Sequence, residues 1–102
     1  MICPGGGNDT VYGKGGRDLV LAGEGADLVF GDGGDDDLRG GVGLDRIFGG
    51  DGGDQMDGGD GMDRLYGNAG NDHMVGGPGS DVCEGGPGVD TVRTCESSPG
   101  VP

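Results

Sequence analysis

Residues 4–93 divide into ten consecutive nonapeptides without one insertion or deletion. They read PGGGNDTVY, GKGGRDLVL, AGEGADLVF, GDGGDDDLR, GGVGLDRIF, GGDGGDQMD, GGDGMDRLY, GNAGNDHMV, GGPGSDVCE and GGPGVDTVR. The fourth position is Gly in every copy. The sixth is always Asp: Asp9, Asp18, Asp27, Asp36, Asp45, Asp54, Asp63, Asp72, Asp81 and Asp90. The eighth is always apolar: Val11, Val20, Val29, Leu38, Ile47, Met56, Leu65, Met74, Cys83 and Val92. No nine-residue unit can bury a face alone, so a period this strict demands a stack of like units.

Each fixed position has a physical reason. Gly at positions 1, 2 and 4 suits a backbone that visits φ > 0 and approaches a ligand closely. One apolar residue at position 8, with positions 7 and 9 pointing the other way, is the period-2 signature of a very short strand. One inward side chain per strand is a thin core, and stacking makes it continuous. Composition shows that this core needs help. Gly makes up 30 of 102 residues, Trp is absent, four residues are aromatic and the net charge is −13. Taken alone, that composition describes a solvated, unfolded segment. A flexible linker, however, has no need of a phased apolar residue every nine positions. An Asp ladder is electrostatically intolerable unless cations sit between its rungs.

The same features exclude several functions. Six Lys and Arg are too few to meet the phosphates of nucleic acid or an anionic membrane. No apolar run approaches a membrane span, and no signal peptide is visible at Met1. The abrupt Met-Ile-Cys opening suggests a fragment whose export signal lies upstream. An enzyme is not expected within the chain. The one histidine, His73, falls at an outward strand position, and every Asp at position 6 is committed to a turn. The turns mimic phosphate-binding loops, but no helix follows them.

The unit resembles the RTX (repeats-in-toxin) nonapeptide G-G-x-G-x-D-x-U-x, with U large and apolar, over residues 4–93. The resemblance implies an all-β, right-handed parallel β-roll in which six residues form a Ca²⁺-binding turn and three a short strand. Two units make a coil, so ten units make about five coils stacked about 24 Å high. Residues 1–3 would be a remnant of a preceding repeat or cap, and residues 94–102 a cap and tail. The resemblance further implies Ca²⁺ between turns eighteen residues apart. The pairs are Asp9/Asp27, Asp27/Asp45, Asp45/Asp63 and Asp63/Asp81 on one edge. On the other they are Asp18/Asp36, Asp36/Asp54, Asp54/Asp72 and Asp72/Asp90. Up to about eight ions would thus be held, with turn carbonyls such as those of Gly31, Gly33, Gly40, Gly49, Gly58 and Gly67 completing each shell. All-oxygen coordination suits Ca²⁺ rather than zinc or copper. Departures from the unit weaken particular sites: Pro4 and Ala22 at position 1, and Lys14, Asp32 and Asn68 at position 2. Sites at the two ends, involving Asp9, Asp18 or Asp90, are expected to be weaker than the central ones.

In that arrangement Tyr12, Phe30, Phe48 and Tyr66, every aromatic in the chain, fall at position 9 of odd-numbered units. They would form a ladder on one sheet with Leu28 beside it. It would either brace a weak sheet or offer a face to a protein, a second copy of the chain or a polysaccharide. Cys95, just beyond the last repeat, could reach the inward Cys83 and clasp the solenoid end, while Cys3 would seek a partner upstream. A disulfide and weak calcium sites both suit a secreted, extracellular setting. The expected function is a non-catalytic calcium-binding module that folds on metal binding. The alternative is an accessory binding or adhesion region of a secreted enzyme or adhesin.

Overall fold

The computed structural model describes residues 6–78, 81–86, 88, 90–93 and 95. The readings made for residues 1–3, for Cys3 and for the tail at 97–102 lie outside them. Each repeat supplies one three-residue strand at positions 7 to 9. The strands are β1 (Thr10–Tyr12), β2 (Leu19–Leu21), β3 (Leu28–Phe30), β4 (Asp37–Arg39), β5 (Arg46–Phe48), β6 (Gln55–Asp57), β7 (Arg64–Tyr66), β8 (His73–Val75), β9 (Val82–Glu84) and β10 (Thr91–Arg93). Odd strands form one parallel sheet in the order β1-β3-β5-β7-β9, and even strands form the other, β10-β8-β6-β4-β2. Register is unshifted: Val11 pairs with Val29, Val29 with Ile47, and Val20 with Leu38. The chain is therefore an all-β solenoid whose successive strands alternate between two sheets.

The core is the column of position-8 side chains. Val11, Val20, Val29, Leu38, Ile47, Met56, Leu65, Met74 and Cys83 are buried, joined by Ala22, with Val92 and Cys95 packed against them. The Cα envelope measures 35 × 30 × 13 Å. Its thin dimension is little more than the about 10 Å that separates two facing sheets. At the C-terminal end Cys83 is bonded to Cys95, with Cα atoms 5.9 Å apart.

Glycines at positions 2 and 4 adopt positive φ, as at Gly41 (85°) and Gly43 (123°). Position 1 is different, and the expectation that it too needs φ > 0 is corrected. None of the described position-1 residues has positive φ. Gly there provides space: a Cβ on Gly31 would stand 2.7 Å from the Gly49 carbonyl oxygen and 2.8 Å from Asp36 Oδ2.

Three residues other than Gly also take positive φ at position 2: Lys14 (70°), Asp32 (66°) and Asn68 (64°). Asn and Asp visit this region readily, whereas Lys gains nothing there and loses about 1 kcal/mol to its Cβ. Lys14→Gly should therefore stabilise the folded protein by about 1 kcal/mol, while Asn68→Gly should change it by a few tenths at most. Thermal melts in saturating calcium would read both, and a Lys14→Gly protein no more stable than its parent would contradict the strain.

Candidate metal centre

The position-6 aspartates are drawn inward by the turn that precedes each strand. Seven of them, Asp27, Asp36, Asp45, Asp54, Asp63, Asp72 and Asp81, are no more than 2% exposed, and Asp9, Asp18 and Asp90 are partly covered. Three of the four end turns are thus the less covered ones, having a neighbour on one side only, while Asp81, the last on its edge, is fully buried.

Each carboxylate spans two coils. The backbone N–H of Asp9 donates to Asp27 Oδ1 at 2.8 Å, that of Asp27 to Asp45 Oδ1 at 3.0 Å, and that of Asp45 to Asp63 Oδ1 at 2.9 Å. The Asp63 N–H reaches Asp81 Oδ1 at 2.7 Å. The other edge repeats the pattern through Asp18/Asp36, Asp36/Asp54, Asp54/Asp72 and Asp72/Asp90 at 2.8–3.0 Å. All eight aspartate pairs expected from the eighteen-residue spacing are in contact.

The second carboxylate oxygen is the informative one. Oδ2 of Asp27, Asp36, Asp45, Asp54, Asp63 and Asp72 is buried without a hydrogen-bond donor. A buried charged oxygen with no partner is costly. Around it lie further oxygens. The vacant Cβ positions of Gly31, Gly40, Gly49 and Gly67 are each bounded by the Oδ2 of their own unit's Asp and by the carbonyl of Gly49, Gly58, Gly67 or Gly85 one coil on. Among the described residues no three His, Cys, Asp or Glu side chains converge on one point. A cation bound here must therefore complete its shell with backbone carbonyls. Carboxylate plus carbonyl oxygen, with neither sulfur nor imidazole, fits a hard divalent ion of six to eight ligands.

Burial pushes the Asp54 and Asp63 carboxyls up to about 8 and those of Asp45 and Asp72 up to about 6, with ladder neighbours adding to the rise. Asp36 is raised as well, first by burial and then by the charges of Asp18 and Asp32. A metal-free roll holds these protons more tightly than the unfolded chain does. Its stability is thus greatest below the ordinary carboxylate value and falls as pH rises through about 6 to 8. Metal must displace the same protons, so calcium affinity should fall as pH drops from about 8 to about 5. Calorimetry near neutral pH, in buffers of different ionisation enthalpy, should register proton release. Affinity that is flat across this range would contradict it.

Residues 5–38, 30–61 and 57–92 match the RTX calcium-binding nonapeptide repeat (4 copies). The chain belongs to this family. Membership of the RTX repeats implies calcium binding, and the oxygen-only ladder is the RTX feature that would carry it. No curated protein and no solved structure matches the chain.

The RTX roll also places the outward residues. Tyr12, Phe30, Phe48 and Tyr66 stack, with centroids 5.1, 5.0 and 4.7 Å apart and planes within 12° of parallel. Leu28 is half-buried on the same sheet. Among the described residues no helix is long and apolar enough to cross a membrane. Two features escape a reading of the nonapeptide consensus. Ala22 joins the core because position 1 points inward, and Leu44 and Met62 form an exposed apolar pair at position 5. The signal for that pair is a conservative match eighteen residues apart, GLDRIF at 43–48 against GMDRLY at 61–66.

Proposed function

We propose that this chain is a non-catalytic calcium-responsive module of a secreted protein, whose folding is coupled to filling as many as eight sites between Asp-bearing turns. The observation that carries this reading is the rank of buried Oδ2 atoms without donors. Such a rank has no stabilising role in a metal-free fold, and a divalent cation would answer it. The Cys83–Cys95 bond supports an oxidising setting, and sites of the extracellular affinity class would fill only where calcium is abundant.

Each interior Asp belongs to two pairs, which gives the proposal a numerical test. Native mass spectrometry in millimolar calcium should find up to about eight ions. Asp54→Asn should remove two, the 36/54 and 54/72 sites, while Asp90→Asn should remove one. No retained calcium, or equal loss from the two variants, would refute the shared ladder.

The accessory-platform reading, in which the aromatic ladder receives a polysaccharide, has weaker support. Rings stacked this closely cover one another's faces, and only the outer faces of Tyr12 and Tyr66 are not covered by another ring. The ladder is better suited to bracing its sheet.

A further inference from the structure

Two adjacent coils carry similar hexapeptides at residues 43–48 and 61–66, with a feature that the calcium ladder does not require. Arg46 lies in register with Arg64 on neighbouring parallel strands. Like charges directly opposite each other destabilise a sheet. Among the described residues the one ion pair is Arg39 with Asp37, and neither Arg46 nor Arg64 makes one. Six cations in a chain of net charge −13 could easily have been compensated. These two were left facing outward together.

Beside them, Leu44 and Met62 are 54% and 57% exposed. With Val82 and the two arginines they line an open groove of about 440 Å³, whose floor includes Asp45 and Asp63. At the same turn position the other units carry Asn8, Arg17, Ala26, Asp35, Gly53, Asn71, Ser80 and Val89, small or polar residues except for Val89. The two largest apolar residues at this position, Leu44 and Met62, thus occur on the same two rungs as the paired arginines.

We propose that this groove docks an acidic peptide segment of a partner protein, with an apolar side chain between Leu44 and Met62 and carboxylates on Arg46 and Arg64. Charge complementarity selects the anion, since a guanidinium meets a carboxylate through two parallel hydrogen bonds. The apolar walls select a peptide over an acidic sugar chain, which has no apolar side chain to seat there. Met adapts its shape to such an occupant, and Arg, Met and aromatic residues are those enriched in protein interfaces. The proposal rests on the calcium-loaded fold, so its test begins by verifying that fold.

With β-structure first established by circular dichroism in millimolar calcium, fluorescence anisotropy would follow a labelled peptide of alternating Glu and Leu. The peptide should bind, and should release as sodium chloride is raised. The double variant R46Q/R64Q should weaken binding about tenfold, the sum of two exposed charge pairs. L44S/M62S should weaken it comparably, and a Glu/Ser peptide should bind worse than Glu/Leu. All these substitutions lie outside the Asp ladder. Absence of binding by the folded protein, equal binding by either double variant, or tighter binding of an oligoglucuronate would overturn the assignment. A coil spectrum at the first stage would instead refute calcium-coupled folding, and the groove with it.

Discussion

In excess chelator this protein should give a coil-like far-ultraviolet circular dichroism spectrum, and millimolar calcium should convert it to β-structure. The expectation follows from the spacing of the ladder. Ionised carboxylates about 5 Å apart repel by about 3 kcal/mol at an effective dielectric near 20. A domain whose net stability is about 5–15 kcal/mol cannot bear that eight times over. Protonation relieves part of the strain below about pH 8, the value to which Asp54 and Asp63 are raised. The thin column of position-8 side chains offers little to offset the rest. Magnesium should be a poor substitute, because it demands a tight octahedron and dehydrates reluctantly. A folded spectrum in chelator, or a coil in millimolar calcium, would defeat metal-coupled folding.

The second large effect is expected from a single methyl group. Gly52 has φ of 102°, and a Cβ there would collide with the Gly34 carbonyl oxygen and stand 3.0 Å from Asp35 Oδ1. Neither the coil beneath nor the backbone dihedral can yield without breaking the stack. Gly52→Ala should cost about 3 kcal/mol or more, which, shared over about eight ions taken up on folding, raises the calcium midpoint about twofold. Gly33, in the neighbouring turn, is the control: a Cβ there would meet nothing within 4 Å. Gly33→Ala should be neutral or slightly stabilising through the unfolded chain. Calcium titrations followed by circular dichroism would compare them, and equal midpoints would contradict the close stacking of turns.

Much of this architecture was legible because the code is short and repeated. A lone apolar residue flanked by outward neighbours places β3 at Leu28–Phe30 and β5 at Arg46–Phe48, where the structure has them. The resemblance to RTX repeats supplied the two-unit coil, and with it the pairing of Asp27 with Asp45. Other features were hidden for physical reasons. Position 1 reads as Gly whether the cause is a dihedral or a lack of room, and the Oδ2 and carbonyl beside Gly31 reveal the second only once the coils are stacked. The two carboxylate oxygens of one Asp are equivalent in sequence, but Oδ1 takes an amide and Oδ2 does not. The Arg46/Arg64 groove belongs to no single unit. It emerges from residues compared down a column eighteen apart.

The bond between Cys83 and Cys95 makes the two ends of this stack unequal. Every rung is held by the rungs eighteen residues before and after it, so a roll losing its metal would peel one coil at a time from whichever end is looser. At the C-terminal end the outermost strand, β10, lies inside a covalent loop tied to the core and cannot leave by itself. Unravelling would then run from the N-terminal coil toward the clasp, each coil paying out about 60 Å of extended chain. Rewinding would start from the clasp, giving the module a direction that its near-identical repeats do not themselves possess.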